Sequence, residues 1–152
     1  MTRASVAPAA RARRPAKADL RMPIVLDASC WIEYFADSPR ADLFAPAVEA
    51  VEQLLVPVLT VYEVVKKLAR EAGEEAAMAA LSLMQRGHVV AIDLTVALDA
   101  AVNGLPMADS LIYATARRHG AVLWTQGAHF EGLPGVKYFA MAESRSGARR
   151  KQ

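Results

Sequence analysis

From residue 23 onward, short wholly apolar runs alternate with longer stretches in which apolar positions recur every three or four residues. Ile24-Val25-Leu26 is the first such run and reads as a strand buried on both faces. Trp31, Ile32, Tyr34 and Phe35 suit a short helix closed by Asp37-Ser38-Pro39. Over 41–53, Leu43, Phe44, Ala47, Val48 and Val51 form a helical stripe. Residues 54–59 predict a short strand with Pro57 at its end or edge. Helices are predicted over 60–72 and 74–86, stopped by Gly73 and Gly87. A strand over 88–92 precedes a helix over 94–102, which Asp93 caps and Asn103-Gly104 ends. Pro106 suits the first turn of a helix that runs to His119 and stops at Gly120. Strands over 121–124 and 136–139 complete the pattern, and no internal repeat is visible. Strands separated by helices predict an α/β fold of three layers, α/β/α, around a central, mostly parallel twisted sheet. Sheets of this kind place their sites at the carboxyl ends of the strands.

Composition narrows this picture without changing it. The 152 residues are 54% hydrophobic and 22% charged, which suits one globular domain rather than two, or a disordered chain. No apolar run approaches the ~18 residues of a membrane span, so no membrane partner is expected. The single cysteine, Cys30, allows no internal disulfide and suits a reducing cytosol, so a cytoplasmic location is the expectation. Its apolar setting reads as a small buried residue rather than a nucleophile. Charge is uneven. Residues 1–21 carry Arg3, Arg11, Arg13, Arg14, Lys17 and Arg21 against Asp19 alone, and residues 143–152 carry four bases against Glu143. The net charge of +2 therefore leaves the body acidic. These limits divide the chain into a basic, disordered extension at 1–21, a domain over 22–142 and a basic tail at 143–152. Basic tails attract nucleic acid through phosphate contacts or are simply solvated. Met22 is a second candidate start of translation, beside Met1.

The candidate chemistry is carboxylate. Asp27 ends the first apolar run, Glu63 opens a helix, and Asp109 lies in the first turn of the helix after Pro106. Each has a structural reason to be there. Asp27 is a good N-cap, Thr60-x-x-Glu63 is a capping box, and Asp109 favours the positive end of a helix dipole. Gathered at one sheet edge, however, three carboxylates repel each other and lose hydration, which calls for a hard divalent cation. Ser29 serves either as a supporting hydroxyl or as a cap. His88 and His129 have no partner at zinc-ligand spacing. No Gly-rich phosphate loop or Cys-x-x-Cys is present.

Four segments together resemble the PIN-domain ribonucleases, and specifically the VapC toxins of toxin–antitoxin pairs. They are Ile24-Val25-Leu26-Asp27-Ala28-Ser29, Thr60 to Glu63, Leu105-Pro106-Met107-Ala108-Asp109-Ser110-Leu111-Ile112, and Leu123-Trp124-Thr125-Gln126-Gly127-Ala128-His129-Phe130. The resemblance implies a PIN-like fold and a metal-dependent endoribonuclease. Asp27, Glu63 and Asp109 would hold Mg²⁺ or Mn²⁺, and Thr125 would support them. It also implies an RNA substrate, a cognate antitoxin that silences the enzyme, and a homodimer. One position departs from the pattern: Gly127 stands where a fourth acid is common, so one ion is expected and a second is left open. Three other readings stay open at this stage: a catalytically weak or inactive PIN-fold protein that binds RNA or antitoxin, a phosphohydrolase with Asp27 as nucleophile, and a plain interaction domain whose acids are all caps. The second lacks the usual further Asp, because Ser29 occupies that place.

Overall fold

The computed structural model describes residues 20–141. The basic segments at 1–21 and 143–152 lie outside them, apart from Leu20 and Arg21. The described chain runs β1 (Ile24–Leu26), α1 (Ala28–Phe35), α2 (Ala41–Glu49), β2 (Leu54–Pro57), α3 (Val58–Glu71) and α4 (Glu74–Met84). It continues through β3 (His88–Val90), α5 (Leu94–Ala101), α6 (Met107–Arg118), β4 (Val122–Thr125) and β5 (Val136–Tyr138). The strands form one sheet in the order β3-β2-β1-β4-β5, and every neighbouring pair is parallel.

Period-two alternation along the central strands builds the layers. Ile24, Leu26, Leu54, Val56 and Trp124 face a core shared with Trp31, Phe44, Val48, Val64, Leu68, Ala77 and Met84 of α1 to α4. Val25 and Leu123 face the other way, onto Ile112 and Ala116 of α6 and the ring of Phe130. Val96 and Ala100 of α5 then pack on Ala114 of α6. Burial of β1 on both faces explains why it reads as a continuous apolar run rather than an alternating one. Shortening Leu26 or Leu123 to alanine at such sites costs about 2–5 kcal/mol. No described helix is long and apolar enough to cross a membrane.

The elements differ from the expected ones chiefly at the β2–α3 junction. There is no loop: Pro57 ends the strand and also occupies the N-cap position of α3, which begins at Val58. Thr60 and Glu63 are therefore the third and sixth residues of the helix, and the expected capping box does not form. The Thr60 hydroxyl is instead buried without a hydrogen-bond partner. The β-branched and apolar residues Val58 and Leu59 read as strand because propensity is overridden by the turn that Pro57 initiates. Helix α2 stops at Glu49, four residues early, and 51–53 form a turn into β2. Asp93 caps α5 as expected, accepting from the Val96 amide at 2.9 Å. His119 lies at the C-terminus of α6, with its Nδ1 2.9 Å from the Thr115 carbonyl.

Candidate active site

Strand β1 ends at Leu26, and the next residue turns the chain into α1 at the carboxyl edge of the sheet. Asp27 sits at this turn, its amide bonded to the Trp124 carbonyl of neighbouring β4 at 2.9 Å. Its side chain is doubly engaged. Oδ1 accepts from the Ala28 amide at 2.9 Å, and Oδ2 accepts from the Thr125 hydroxyl at 2.7 Å. The cap reading and the site reading of Asp27 are thus both true of one residue. Thr125 is the last residue of β4, and its own oxygen accepts from the Gly127 amide at 2.9 Å. A relay runs from the Gly127 N–H through the Thr125 hydroxyl to Asp27, joining the carboxyl ends of β1 and β4. Thr125 is fully buried, so loss of its hydroxyl would leave two polar groups unsatisfied.

The loop after Thr125 is tied down from the α2 side. Arg40 Nε donates to Gln126 Oε1 at 2.5 Å, and its NH2 group donates to the Phe139 carbonyl at 3.2 Å. Glu33 Oε2 stands 3.9 Å from Arg40 Nε and completes this cluster.

Asp109 lies in the first turn of α6 and Glu63 in the second turn of α3. Helix α3 starts over the sheet edge: Leu59 packs in the core beneath α6, whereas Val64 and Leu68 pack in the core beneath α1 and α2. That placement brings Glu63 within the electrostatic reach of Asp27 and Asp109. Burial pushes the Asp27 carboxyl above its ordinary value and the Asp109 charge adds to this, while the Thr125 and Ala28 hydrogen bonds oppose it. Burial also raises Glu63, reinforced by the charges of Asp27 and Asp109. Among the described residues neither Asp27 nor Glu63 forms an ion pair. Among the described residues, Asp27 and Glu63 therefore carry negative charge that no Lys or Arg ion pair offsets.

Asp109 alone has a side-chain partner of opposite potential sign, His129, whose Nδ1 lies 3.1 Å from Asp109 Oδ2. His129 belongs to a single 3₁₀ turn, Ala128–Phe130, and is largely exposed. Local spacing gave no reason to pair it with an acid 20 residues earlier, and the only signal was its place two residues past Gly127. Ser29 is exposed, and its hydroxyl stands 4.0 Å from the Cys30 sulfur. Burial, with the Asp27 charge as a second cause, pushes the Cys30 thiol well above its ordinary value, so it stays protonated and inert.

A hard dication suits this donor set, which consists of carboxylate oxygens short of positive charge. Among the described residues no three acidic, His or Cys side chains converge into a ready-made ligand cage. The three carboxylates share one field without closing around one point, so water would complete the coordination shell, as Mg²⁺ commonly requires.

Comparison with known proteins matches this arrangement to one family. The model of the PIN domain matches residues 24–136, from β1 to the start of β5. The chain belongs to the PIN domain family. No curated protein matches the sequence. Among solved structures, a toxin–antitoxin complex from Klebsiella pneumoniae is similar at 26% identity and a TM-score of 0.63, over 75% of this chain and 95% of that one. VapBC2 of Rickettsia felis, solved with a promoter DNA fragment, matches at 14% identity and 0.62, over 78% of this chain and 100% of that one. VapC20 of Mycobacterium tuberculosis, described as a toxin that cleaves the sarcin–ricin loop, matches at 20% and 0.54, over 64% and 84%. The resemblance to VapC-type PIN proteins is borne out, and so is the three-layer parallel fold.

Within this PIN domain, Gly127 is more than a missing acid. A Cβ built there would stand 3.1 Å from Phe130 Cδ2 and 3.4 Å from both Phe130 Cε2 and Thr125 Oγ1. Phe130 is fully buried and packs on the α6 face of the sheet. The space a side chain would use at 127 is partly taken by that ring.

Proposed function

We propose that this PIN domain is a divalent-metal-dependent endoribonuclease, the toxin of a toxin–antitoxin pair, with Asp27, Glu63 and Asp109 as its metal-binding carboxylates. The observation that carries the reading is the electrostatics of the sheet edge, where Asp27 and Glu63 are both pushed toward protonation and neither forms an ion pair among the described residues. The family match supports the reaction class, and the likeness to toxin–antitoxin structures supports an antitoxin partner. That one such neighbour cleaves an RNA loop supports RNA as substrate.

Mg²⁺ or Mn²⁺, when bound, supplies activation of water and stabilisation of charge in phosphoryl transfer. The chain supplies placement. Asp27 is held in one orientation by two donors, so its carboxylate needs no reorganisation on binding. Asp109 is steered by His129, whereas Glu63, in the second turn of α3, is held by no ion pair among the described residues. Thr125 and the Gly127 amide fix the β4 side of the site. One ion is the proposed stoichiometry, since Gly127 offers no carboxylate. A second reading is favoured by that same absence: a weak or inactive nuclease that acts by binding RNA or antitoxin.

The homodimer proposed for this family has a fitting surface. Leu94 and Leu98 of α5 and its C-cap Val102 recur every four residues as one stripe, Met107 opens α6, and they are 74%, 61%, 85% and 80% exposed. A second copy covering that stripe would remove an apolar patch that a monomer would otherwise leave in water.

The deciding experiment is RNA cleavage with Mg²⁺ or Mn²⁺ by wild type, Asp27→Ala and Asp109→Ala. Cleavage by wild type alone, abolished by chelator, is expected. Metal-independent cleavage that survives both substitutions would remove the reading, and no cleavage by folded, metal-loaded wild type would leave the binding-only alternative.

A further inference from the structure

Glu63 also borders a shallow surface depression of about 290 Å³, whose other lining residues are Tyr62, Lys66, Lys67 and Arg70. All of them come from α3. Tyr62, Lys66 and Arg70 are spaced four apart and form one stripe, about 12 Å long, on the solvent face of the helix. Tyr62 is 57% exposed, although a tyrosine of a helix with so clear an apolar face could have been buried. The Lys66 ammonium stands 5.3 Å from the centre of the Tyr62 ring and 3.2 Å from its hydroxyl. Arg70 reaches Glu71 only at 3.9 Å, with both side chains largely in solvent. Among the described residues, no carboxylate lies within ion-pair distance of Lys66 or Lys67. Three cations clustered on one face are unexpected in a body whose overall charge is acidic. As structural elements they do little: surface charges of like sign at helical spacing repel slightly.

We infer that this α3 stripe is the path of the RNA strand on one side of the scissile phosphate, with Tyr62 stacking a base and Lys66, Lys67 and Arg70 holding consecutive phosphates. The inference rests on the nuclease reading for the position of the cleaved bond. Continuity supports it, because Glu63 belongs to both surfaces and a strand leaving the acidic edge past Glu63 passes directly onto Tyr62. The chemistry supports it as well. An exposed aromatic ring beside a row of cations is the combination by which proteins bind single strands without reading sequence. It implies an unpaired stretch next to the cut, since a base stacked on Tyr62 is not stacked within a helix. An acidic segment of a protein partner is the rival occupant. The ring beside the cations and the direct run from the site favour the nucleic acid.

The test uses the full chain and a fluorescent single-stranded oligoribonucleotide, with binding measured in EDTA across a salt series. The charge variant is Lys66→Gln/Lys67→Gln/Arg70→Gln, the stacking variant is Tyr62→Ala, and the control is Arg118→Gln, in the last turn of α6 beside Asp99 of α5. The charge variant is expected to bind about tenfold more weakly, with a log–log salt slope shallower by about 2, since each phosphate contact on a single strand contributes roughly 0.7. Tyr62→Ala is expected to bind about tenfold more weakly with an unchanged slope. Arg118→Gln should match wild type, and Lys66→Arg/Lys67→Arg should retain the slope. In Mn²⁺, the charge variant should raise KM and leave kcat within a few-fold of wild type. RNA binding and salt slope unchanged in both variants would overturn the inference, whether or not wild type cleaves. So would a loss restricted to an acidic peptide. Weakened RNA binding by these variants in a protein that cleaves nothing in any metal would support the strand path and sink the nuclease reading alone.

Discussion

Asp27 and Glu63 lie in one electrostatic field, yet the chain holds them in opposite ways. Asp27 is locked between β1, α1 and β4, with both oxygens committed to donors at 2.9 and 2.7 Å. Glu63 is half-buried on α3, near Lys66 and Lys67, which do not pair with it. Both carboxyls are shifted upward, and for both the largest cause is burial. The difference shows a division of labour within one site. The sheet edge provides a ligand already in position, and α3 provides one that commits only when positive charge arrives. With no ion pair among the described residues, Glu63 carries charge that an added cation or a proton relieves.

The first way to break this contrast is to remove the locked charge. Asp27→Asn keeps an acceptor for the Ala28 amide but lowers cleavage by about 10²–10³-fold or more, measured as single-turnover rate at saturating Mn²⁺. Next in size is the lock itself. Thr125→Val orphans the Gly127 N–H and frees Asp27 Oδ2; it costs about 1–3 kcal/mol in a denaturant melt and about 10–100-fold in activity. Third, Gly127→Asp restores the acid that the family pattern has and this chain lacks, but its Cβ would stand 3.1 Å from the Phe130 ring, which must shift by a few tenths of an ångström. The expected result is a loss of about 1–3 kcal/mol and no gain in metal affinity, read by chemical denaturation and by Mn²⁺ titration.

The mobile side gives smaller effects. A carboxyl with a raised pKa is more protonated in the folded chain than in the unfolded one. Its contribution to stability is therefore present at low pH and lost as pH rises from the ordinary carboxylate range through the raised value. Glu63→Gln removes that loss. In EDTA its melting temperature should exceed that of wild type near neutral pH, and the gap should close toward pH ~4.5. A gap independent of pH would mean that Glu63 ionises without strain. Smallest of all is His129→Ala. The contact with Asp109 is largely exposed, worth about 0.2–1 kcal/mol, and a few-fold drop in cleavage is expected.

The layers of the fold were legible because burial writes itself into short patterns. The wholly apolar 24–26 run marked the central strand, and the Pro106 to Gly120 span marked α6 with Asp109 in its first turn. The start of α3 was not legible, since Val58 and Leu59 have strand-like character and only the tertiary position of Pro57 turns them into helix. Capping rules then pointed to a Thr60–Glu63 box that does not form, and no ion pair among the described residues holds Glu63. Asp27 and Thr125 were each visible as residues, but their hydrogen bond spans 98 positions and no local rule predicts it. Gly127 read as an absence, whereas the structure shows an amide donor and a ring packed against it. Pairing of His129 with Asp109 depends on how a 3₁₀ turn folds back over α6, which spacing alone does not encode.

The measurement that bears most directly on the central claim is calorimetric titration of the metal-free full chain with Mn²⁺, followed for wild type, Asp27→Asn and Glu63→Gln. One ion bound per chain is expected for wild type, with loss of detectable binding in Asp27→Asn and weakened binding in Glu63→Gln. Wild type that binds no ion, or Asp27→Asn that binds as tightly as wild type, would contradict the assignment of this sheet edge as a metal-binding nuclease centre.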